Sequence, residues 1–542
     1  MSRAARELGA VVTVAALLTI AFTYPLAVKM GRVGRVDTAD GRFSIWNVAW
    51  VARTLVRDPL HIFDANIFFP HRGTLAYSEN NLGAGALAVP AYWLTRGNPY
   101  AAHNAAMLLA FVLGASGMYY LVRYLTANRS ASAIAAIGFA FCPYVFAHTA
   151  HIQLMMTAGL PFAMLAFHRL ADRPTLGRGA ALGMVMSAQA ICCGYYGVFV
   201  ALMVAFSAVV AAAWGRRWAS PEYWLGIAAA AIVPLAIVTP LFLPYAALQH
   251  DFGFARSLDD ARRYSANWVA YLASSSHAHE WWLRFLPAWR GEVAFPGIVT
   301  TTLGIAGARL GWRVRGGELI AIYGGLIVLA CWTSFGPDAG LYTVFYRTVP
   351  VFTLLRAPGR FALLVVFGLS VLCGVALSVL LARWRRATAM ALMIGVCAVA
   401  ELFVTLYLVE APPVEPVYRT LATLPRAATI ELPFYYPEVG LYQHTKYMLT
   451  STSHWMPLVN GYSDYIPPDF VANSLPLATF PSRAAFKILE PDRVRYAVFH
   501  MYGFNAANRR DVLARLDEFT AYLRPLYSDE TTRLYEIVAF PP

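Results

Sequence analysis

A chain of 542 residues that is 58% hydrophobic and 13% charged carries about half the charge of a soluble domain, where roughly a quarter of residues are Asp, Glu, Lys or Arg. Its formal charge of +13 would suit nucleic acid, but the basic residues fall in short connections between apolar runs. That is the positive-inside pattern of a polytopic membrane protein, and it excludes nucleic acid as the partner.

The apolar runs are each roughly 18 to 24 residues, about what a helix needs to cross a ~30 Å hydrocarbon layer. They predict about eleven transmembrane helices, near 8–28, 101–125, 131–149, 152–170, 179–196, 197–214, 223–247, 296–311, 318–335, 361–382 and 388–409. The first follows Arg3 and Arg6 and lacks a small-residue cleavage site, so it reads as an uncleaved helix. The break at Cys193-Gly194-Tyr195-Tyr196-Gly197 leaves two readings open: a pair of helices, or one kinked span over 179–214. The six cysteines, Cys142, Cys192, Cys193, Cys331, Cys373 and Cys397, all lie in hydrophobic runs. They predict packing rather than disulfides or a CxxC metal site.

A cytoplasmic N-terminus places Arg123, Arg129, Arg169, Arg173, Arg178, Arg216, Arg217, Arg309, Arg313, Arg315, Arg383, Arg385 and Arg386 in cytoplasmic connections. The opposite face then receives the long loops 29–100, 248–295 and 336–360 and the tail from Ala411. It also receives every histidine but His168. The expected location is a multi-pass inner (plasma) membrane with the C-terminal domain extracytoplasmic; the Ala- and Arg-rich composition fits a bacterium. Function tends to sit on loops held by a rigid scaffold, which puts the working face outside.

The tail opens on Ala411-Pro412-Pro413-Val414-Glu415-Pro416, a break that ends the last helix. Strand-like segments follow at 428–436, 494–502 and 532–540, with a helical pattern at 507–523. The expected organisation is a polytopic α-helical transmembrane domain over 1–410, including the long loops, and a small extracytoplasmic α/β domain over 411–542.

The stretch 37–81 concentrates Asp37, Asp40, Asp64, Glu79, Asn80, His61 and His71 with several aromatics. A carboxylate at the membrane edge can act as a general base; Asp40 is the first candidate and Asp37 the second. Both precede an amphipathic stretch, Phe43 to Val56, with Trp46 and Trp50 four residues apart, as expected of an interfacial helix with its rings at headgroup depth. The alternative is that these carboxylates only cap that helix.

The run from Asp40 through Trp46 and Trp50 to FFPHRGTLAY (68–77) resembles the opening of bacterial GT-C glycosyltransferases. So does Tyr144…His148…His151-Ile152-Gln153 followed by LPF (160–162), together with the outer loops and extracytoplasmic tail. The likeness is closer in the N-terminal half, and no strict DxD is present. The resemblance implies an enzyme that takes a sugar from a polyprenyl-phosphate-linked donor and moves it to an extracytoplasmic acceptor: a glycan, lipid or protein. It also implies a base role for Asp40.

Other residues fit that chemistry. Arg356 and Arg360 flank a Pro-Gly turn with Arg347 nearby, and arginine forks match phosphate oxygens; snorkelling to headgroups is the alternative. His148, His151 and Gln153, with His71, Asp64, Glu79 and Asn80, are candidates for a sugar pocket. HWMPLVNGYSDYIPP (454–468) adds Trp455, Tyr462 and Asp464, although a packed loop would use the same residues. No cofactor is firmly expected. A divalent cation (Mg or Mn) could use Asp40, Asp64, His148 and His151, while His277-Ala278-His279-Glu280 is a weaker metal motif. A single displacement would invert the anomeric centre. Two other classes stay open: a lipid or solute transporter, suggested by Pro234, Pro240 and a mid-span Glu401, and a catalytically silent scaffold.

Overall fold

A computed structural model describes residues 2–253, 256–286 and 292–542. Positions 254–255 and 287–291 of the expected loop 248–295, and the Arg315 side chain, lie outside the described residues. The chain forms two compact units, Met1–Lys29 with Asn104–Tyr407, and Met30–His103 with Leu408–Pro542.

The first unit is helical. Among the described residues, eight helices are long and apolar enough to cross a membrane: Arg3–Phe22, Pro99–Thr126, Arg129–Ala147, Ile152–Asp172, Gly194–Trp214, Pro221–His250, Gly317–Ser334 and Pro358–Leu381. Ile298–Leu310 and Ala387–Leu402 are shorter apolar helices. Cys193, in extended conformation, separates Leu176–Cys192 from Gly194–Trp214, so this region is two helices. The helix Ala362–Leu381 is apolar on every side and nearly all buried, as a helix at the centre of a bundle must be. Ile298–Leu310 packs on it through Gly304 and Gly307. A Cβ on Gly307 would fall 2.1 Å from the Leu372 carbonyl oxygen, so this backbone approach requires the missing side chain.

The last of these helices stops at Leu402 rather than 409, which moves Glu401 from an expected mid-span position to a helix end. Its carboxylate accepts the N–H groups of Ile298 and Val299, the latter at 3.1 Å, and pairs with His279 Nε2 at 3.0 Å. An acid at the N-terminus of helix Ile298–Leu310 satisfies donors that the helix cannot. His277 Nδ1 lies 2.6 Å from Glu280 Oε1 and its Nε2 2.9 Å from Thr405 Oγ1. The His-x-His-Glu motif thus fastens a loop to a helix end.

The second unit is built on a four-stranded sheet. Strands β1 (Thr429–Leu432), β2 (Tyr496–His500), β3 (Leu523–Ser528) and β4 (Thr532–Ile537) lie in the order β1-β2-β4-β3. β1 and β2 are parallel, and the other pairs antiparallel. Helix Ala506–Glu518 ends five residues before the expected 523, and the chain from Leu523 forms edge strand β3. Its Pro525 lacks an N–H, a residue that sheets tolerate at an edge or a bulge, and the register shifts between Pro525 and Tyr527.

The first long loop folds with the tail. Residues 457–460 bond to β1 on one side (Thr429 N–H to Pro457 O, 2.8 Å; Val459 N–H to Thr429 O, 2.9 Å) and to residues 66–69 on the other (Leu458 N–H to Asn66 O, 2.9 Å; Phe69 N–H to Leu458 O, 2.8 Å). The expected interfacial placement of Trp46 and Trp50 is corrected by this folding. In helix Ala39–Arg57 they are 0% and 4% exposed. Their indole N–H groups donate to Asn66 Oδ1 (3.1 Å) and Ile62 O (2.9 Å). The amphipathic face covers protein, because the tail supplies a second apolar surface that a local pattern cannot reveal.

Candidate functional site

In the first unit the polar side chains gather where three segments meet. Tyr144 and His148 come from the short helix Pro143–Ala147 and its cap, Tyr195 and Tyr196 from the start of Gly194–Trp214, and Arg360 from the turn Pro358–Phe361. His148 Nδ1 is 2.7 Å from Tyr144 O. A carbonyl only accepts, so Nδ1 carries a proton and Nε2 is presented to Glu292 Oε2 at 3.0 Å. Burial pushes the Glu292 carboxyl up, but His148, Arg360 and His151 together outweigh it and hold the group below the usual carboxylate range. Gly359 permits this closeness: a Cβ there would lie 2.6 Å from Glu292 Cγ and 2.9 Å from the Tyr264 carbonyl oxygen.

The Arg360 guanidinium lies 4.3 Å from the Tyr195 ring centroid, a cation–π distance. Its Nε is buried with no hydrogen-bond partner among the described residues. The Arg356 N–H donates to Tyr195 Oη at 2.6 Å, and its guanidinium lies 5.2 Å from the Tyr264 centroid. Behind them, Tyr196 Oη donates to Leu154 O at 2.9 Å and lies 3.3 Å from Tyr144 Oη. The result is a packed cationic cluster with an unused donor at Arg360 Nε, flanked by aromatic rings and one acid. Guanidinium groups are chemically suited to the oxygens of a phosphate.

Of the residues expected here, Arg356, Arg360, His148 and His151 belong to this cluster. Gln153 is half-buried in helix Ile152–Met155, and Arg347 is exposed on helix Leu341–Thr348. Sequence reasoning missed Glu292 and Tyr195. The available signal for Glu292 was a lone acid directly against an apolar run, and for Tyr195 a helix break.

The other candidates lie in the second unit. Asp37 takes a two-pronged bond from Arg35, at 3.0 and 3.2 Å. Thr38 is the cap of helix Ala39–Arg57, its Oγ1 accepting the Gly41 N–H at 3.0 Å. Asp40 is therefore not the cap; it is exposed in the first turn. Asp64 accepts the Gly73 N–H at 2.8 Å, Asn80 the Leu82 N–H at 3.0 Å, and the Glu79 carbonyl accepts from Asn47 at 3.1 Å. These three positions shape turns. His71 Nε2 lies 2.9 Å from Asp469 Oδ2, beside a cavity of about 120 Å³. Trp455 is buried between Trp50 and the Arg53 guanidinium, at 5.6 and 5.3 Å. Tyr462 is half-buried and Asp464 exposed. Among the described residues no group of three His, Cys, Asp or Glu side chains is placed to hold a metal ion.

No protein-family model and no curated relative matches the sequence. Among solved structures the chain is similar to the arabinofuranosyltransferase AftD from Mycobacteria, in two classes of one mutant. The TM-scores are 0.57 and 0.56 at 17% and 16% identity, each over 99% of this chain and 42% of that one. The chain thus spans about two fifths of AftD. ArnT from Cupriavidus metallidurans bound to undecaprenyl phosphate matches at a TM-score of 0.42 and 15% identity over 99% of both chains, a likeness too distant to carry an argument. The chain is an integral-membrane protein of GT-C-like fold with a small strand-containing C-terminal region.

Proposed function

We propose that the chain is a membrane glycosyltransferase that takes a sugar from a polyprenyl-phosphate-linked donor. The observation that carries this reading is the Arg360 cluster: a buried guanidinium nitrogen without a partner among the described residues, set against Tyr195 and close to the His148–Glu292 pair. Arg360, with Arg356, holds the donor phosphate. Asp40, exposed at its helix N-terminus, removes the proton from an acceptor hydroxyl. The hydroxyl oxygen then bonds to the anomeric carbon as the bond from that carbon to the phosphate oxygen breaks. The electron pair leaves on polyprenyl phosphate, where the guanidinium stabilises the growing charge. One displacement inverts the anomeric centre.

The test is release of polyprenyl phosphate from a panel of polyprenyl-phosphate sugars by the full chain in lipid nanodiscs, with acceptors and divalent cations varied. Release abolished in Asp40→Asn and Arg360→Gln, with both variants folded, supports the assignment. No release from any donor by the wild-type chain removes it and leaves the silent scaffold or transporter.

A further inference from the structure

The second unit holds an open cavity of about 780 Å³, lined by Arg32, Arg96, Glu410, Tyr418, Thr450 and Ser453 among others. Its size falls in the ~300–1,000 Å³ range of small-ligand sites. From these residues we infer that it binds an acidic saccharide, the acceptor end of the reaction proposed above, on which this inference rests.

The walls are fixed. Residues 33–34 pair antiparallel with 409–410, Ala411 N–H donates to Arg32 O at 2.8 Å, and Asn98 Nδ2 donates to Gly31 O at 3.1 Å. Arg96 sits in the left-handed region at φ 57°, where a residue with a side chain is strained; the turn holds it there with Gly97 N–H bonded to Tyr92 O at 2.8 Å. Tyr418, 1% exposed, donates to Glu431 Oε2 at 3.0 Å and accepts from Thr450 Oγ1 at 3.1 Å, so its hydroxyl is held on two sides.

The chemistry of the lining selects the ligand class. The two guanidinium groups are exposed and make no ion pair among the described residues, while Glu410 is the one acid of the lining. A carboxylate or phosphate on the ligand satisfies the arginines. The Ser453 hydroxyl donates to Thr450 O at 2.8 Å, and that of Thr452 to Leu449 O at 2.7 Å. Their oxygens remain acceptors for the O–H groups of a polyol.

The experiment is equilibrium binding of trigalacturonate, maltotriose and inorganic phosphate to the full chain in phosphatidylcholine nanodiscs, repeated with phosphatidylglycerol. Trigalacturonate is expected to bind at least tenfold more tightly than maltotriose. Arg32→Gln and Arg96→Gln each weaken it by roughly tenfold with unchanged melting, and the lysine variants recover part of the loss. Equal binding of both sugars, or indifference to either substitution, overturns the inference. Competition by equimolar phosphate marks a free-anion site, and loss in phosphatidylglycerol marks a lipid-headgroup site; either also overturns it. Asp40→Asn retains binding. A chain that binds trigalacturonate but releases no polyprenyl phosphate sinks only the transferase reading, and a chain that turns over without such binding sinks only this one.

Discussion

His148 Nε2 and Glu292 Oε2 face each other at 3.0 Å, and this pair makes Glu292 a low-pKa acid in a buried place. Burial alone raises a carboxyl; His148 first, then Arg360 and His151, lower it further than burial lifts it. A folded pKa below the ordinary value of 4.5 contributes stability that is present above that value and is lost as pH falls through the folded one. The wild-type chain is expected to lose melting temperature in detergent between pH 6 and pH 3 in part through this group. Glu292→Gln should start about 1–3 kcal/mol less stable at pH 7 and show a shallower acid limb. Equal acid limbs would remove Glu292 from the cluster's electrostatics.

Asp40 offers a cleaner separation of chemistry from stability. It is exposed, Thr38 already caps its helix, and its charge near a helix N-terminus is worth about 0.3–1 kcal/mol. Asp40→Asn should therefore melt within about 1 kcal/mol of wild type while losing roughly 10²–10⁴-fold in turnover. A Thr38→Ala variant is the counterpart: it loses about 1 kcal/mol of stability with a smaller effect on rate. Turnover that survives in Asp40→Asn would transfer the base role to Asp37 or to Glu292.

The fold was legible where the physics is local. Hydrophobic run length located the eight long apolar helices, and β-branched and aromatic alternation gave β1, β2 and β4 near their observed places. Misreadings came where a partner far away in sequence decides. Trp46 and Trp50 have the pattern of an interfacial helix, yet the tail buries them; an amphipathic face records that it is covered, not by what. The expected end of the last helix ran past Leu402 into chain that is equally apolar. Glu401, which looked like a mid-span charge, instead binds the N–H groups of another helix. Arg356, Arg360 and His148 could be chosen by residue chemistry; Glu292 offered only its place against an apolar run, because its role depends on His148, Arg360 and His151 from other segments.

Gly359 tests whether that meeting matters. An added Cβ would approach Glu292 Cγ at 2.6 Å and the Tyr264 carbonyl oxygen at 2.9 Å, and the latter is backbone that cannot rotate away. The Gly359 N–H is itself bonded to Tyr264 O at 3.0 Å. Gly359→Ala should cost about 1–3 kcal/mol by overpacking and shift Arg360, its neighbour. The expected kinetic signature is a raised KM for the polyprenyl-phosphate sugar, matched in direction by Arg360→Lys, which keeps the charge but loses the planar fork. An unchanged KM in both would separate the Arg360 cluster from donor binding.

The buried charges of the tail make the opposite pH prediction. His500 is 2% exposed and its Nε2 lies 2.7 Å from Glu431 Oε2, with Glu415 Oε2 3.5 Å from Nδ1. Burial lowers the imidazole pKa, but Glu415 and Glu431 outweigh it and push the group up to about 9 from an ordinary 6.5. A raised pKa contributes stability that is complete below 6.5 and is lost as pH rises through about 9, an effect of a few kcal/mol. Unfolding of the full chain followed from pH 6 to pH 9.5 should show that decline. Glu431→Gln removes the closer counter-charge and leaves Tyr418 Oη without its carboxylate acceptor. That variant should begin less stable at pH 6 and decline less. Because Tyr418 lines the 780 Å³ cavity, the saccharide affinity should fall as well. A variant with wild-type slope and affinity would show that the pair neither stores stability nor holds Tyr418 in place.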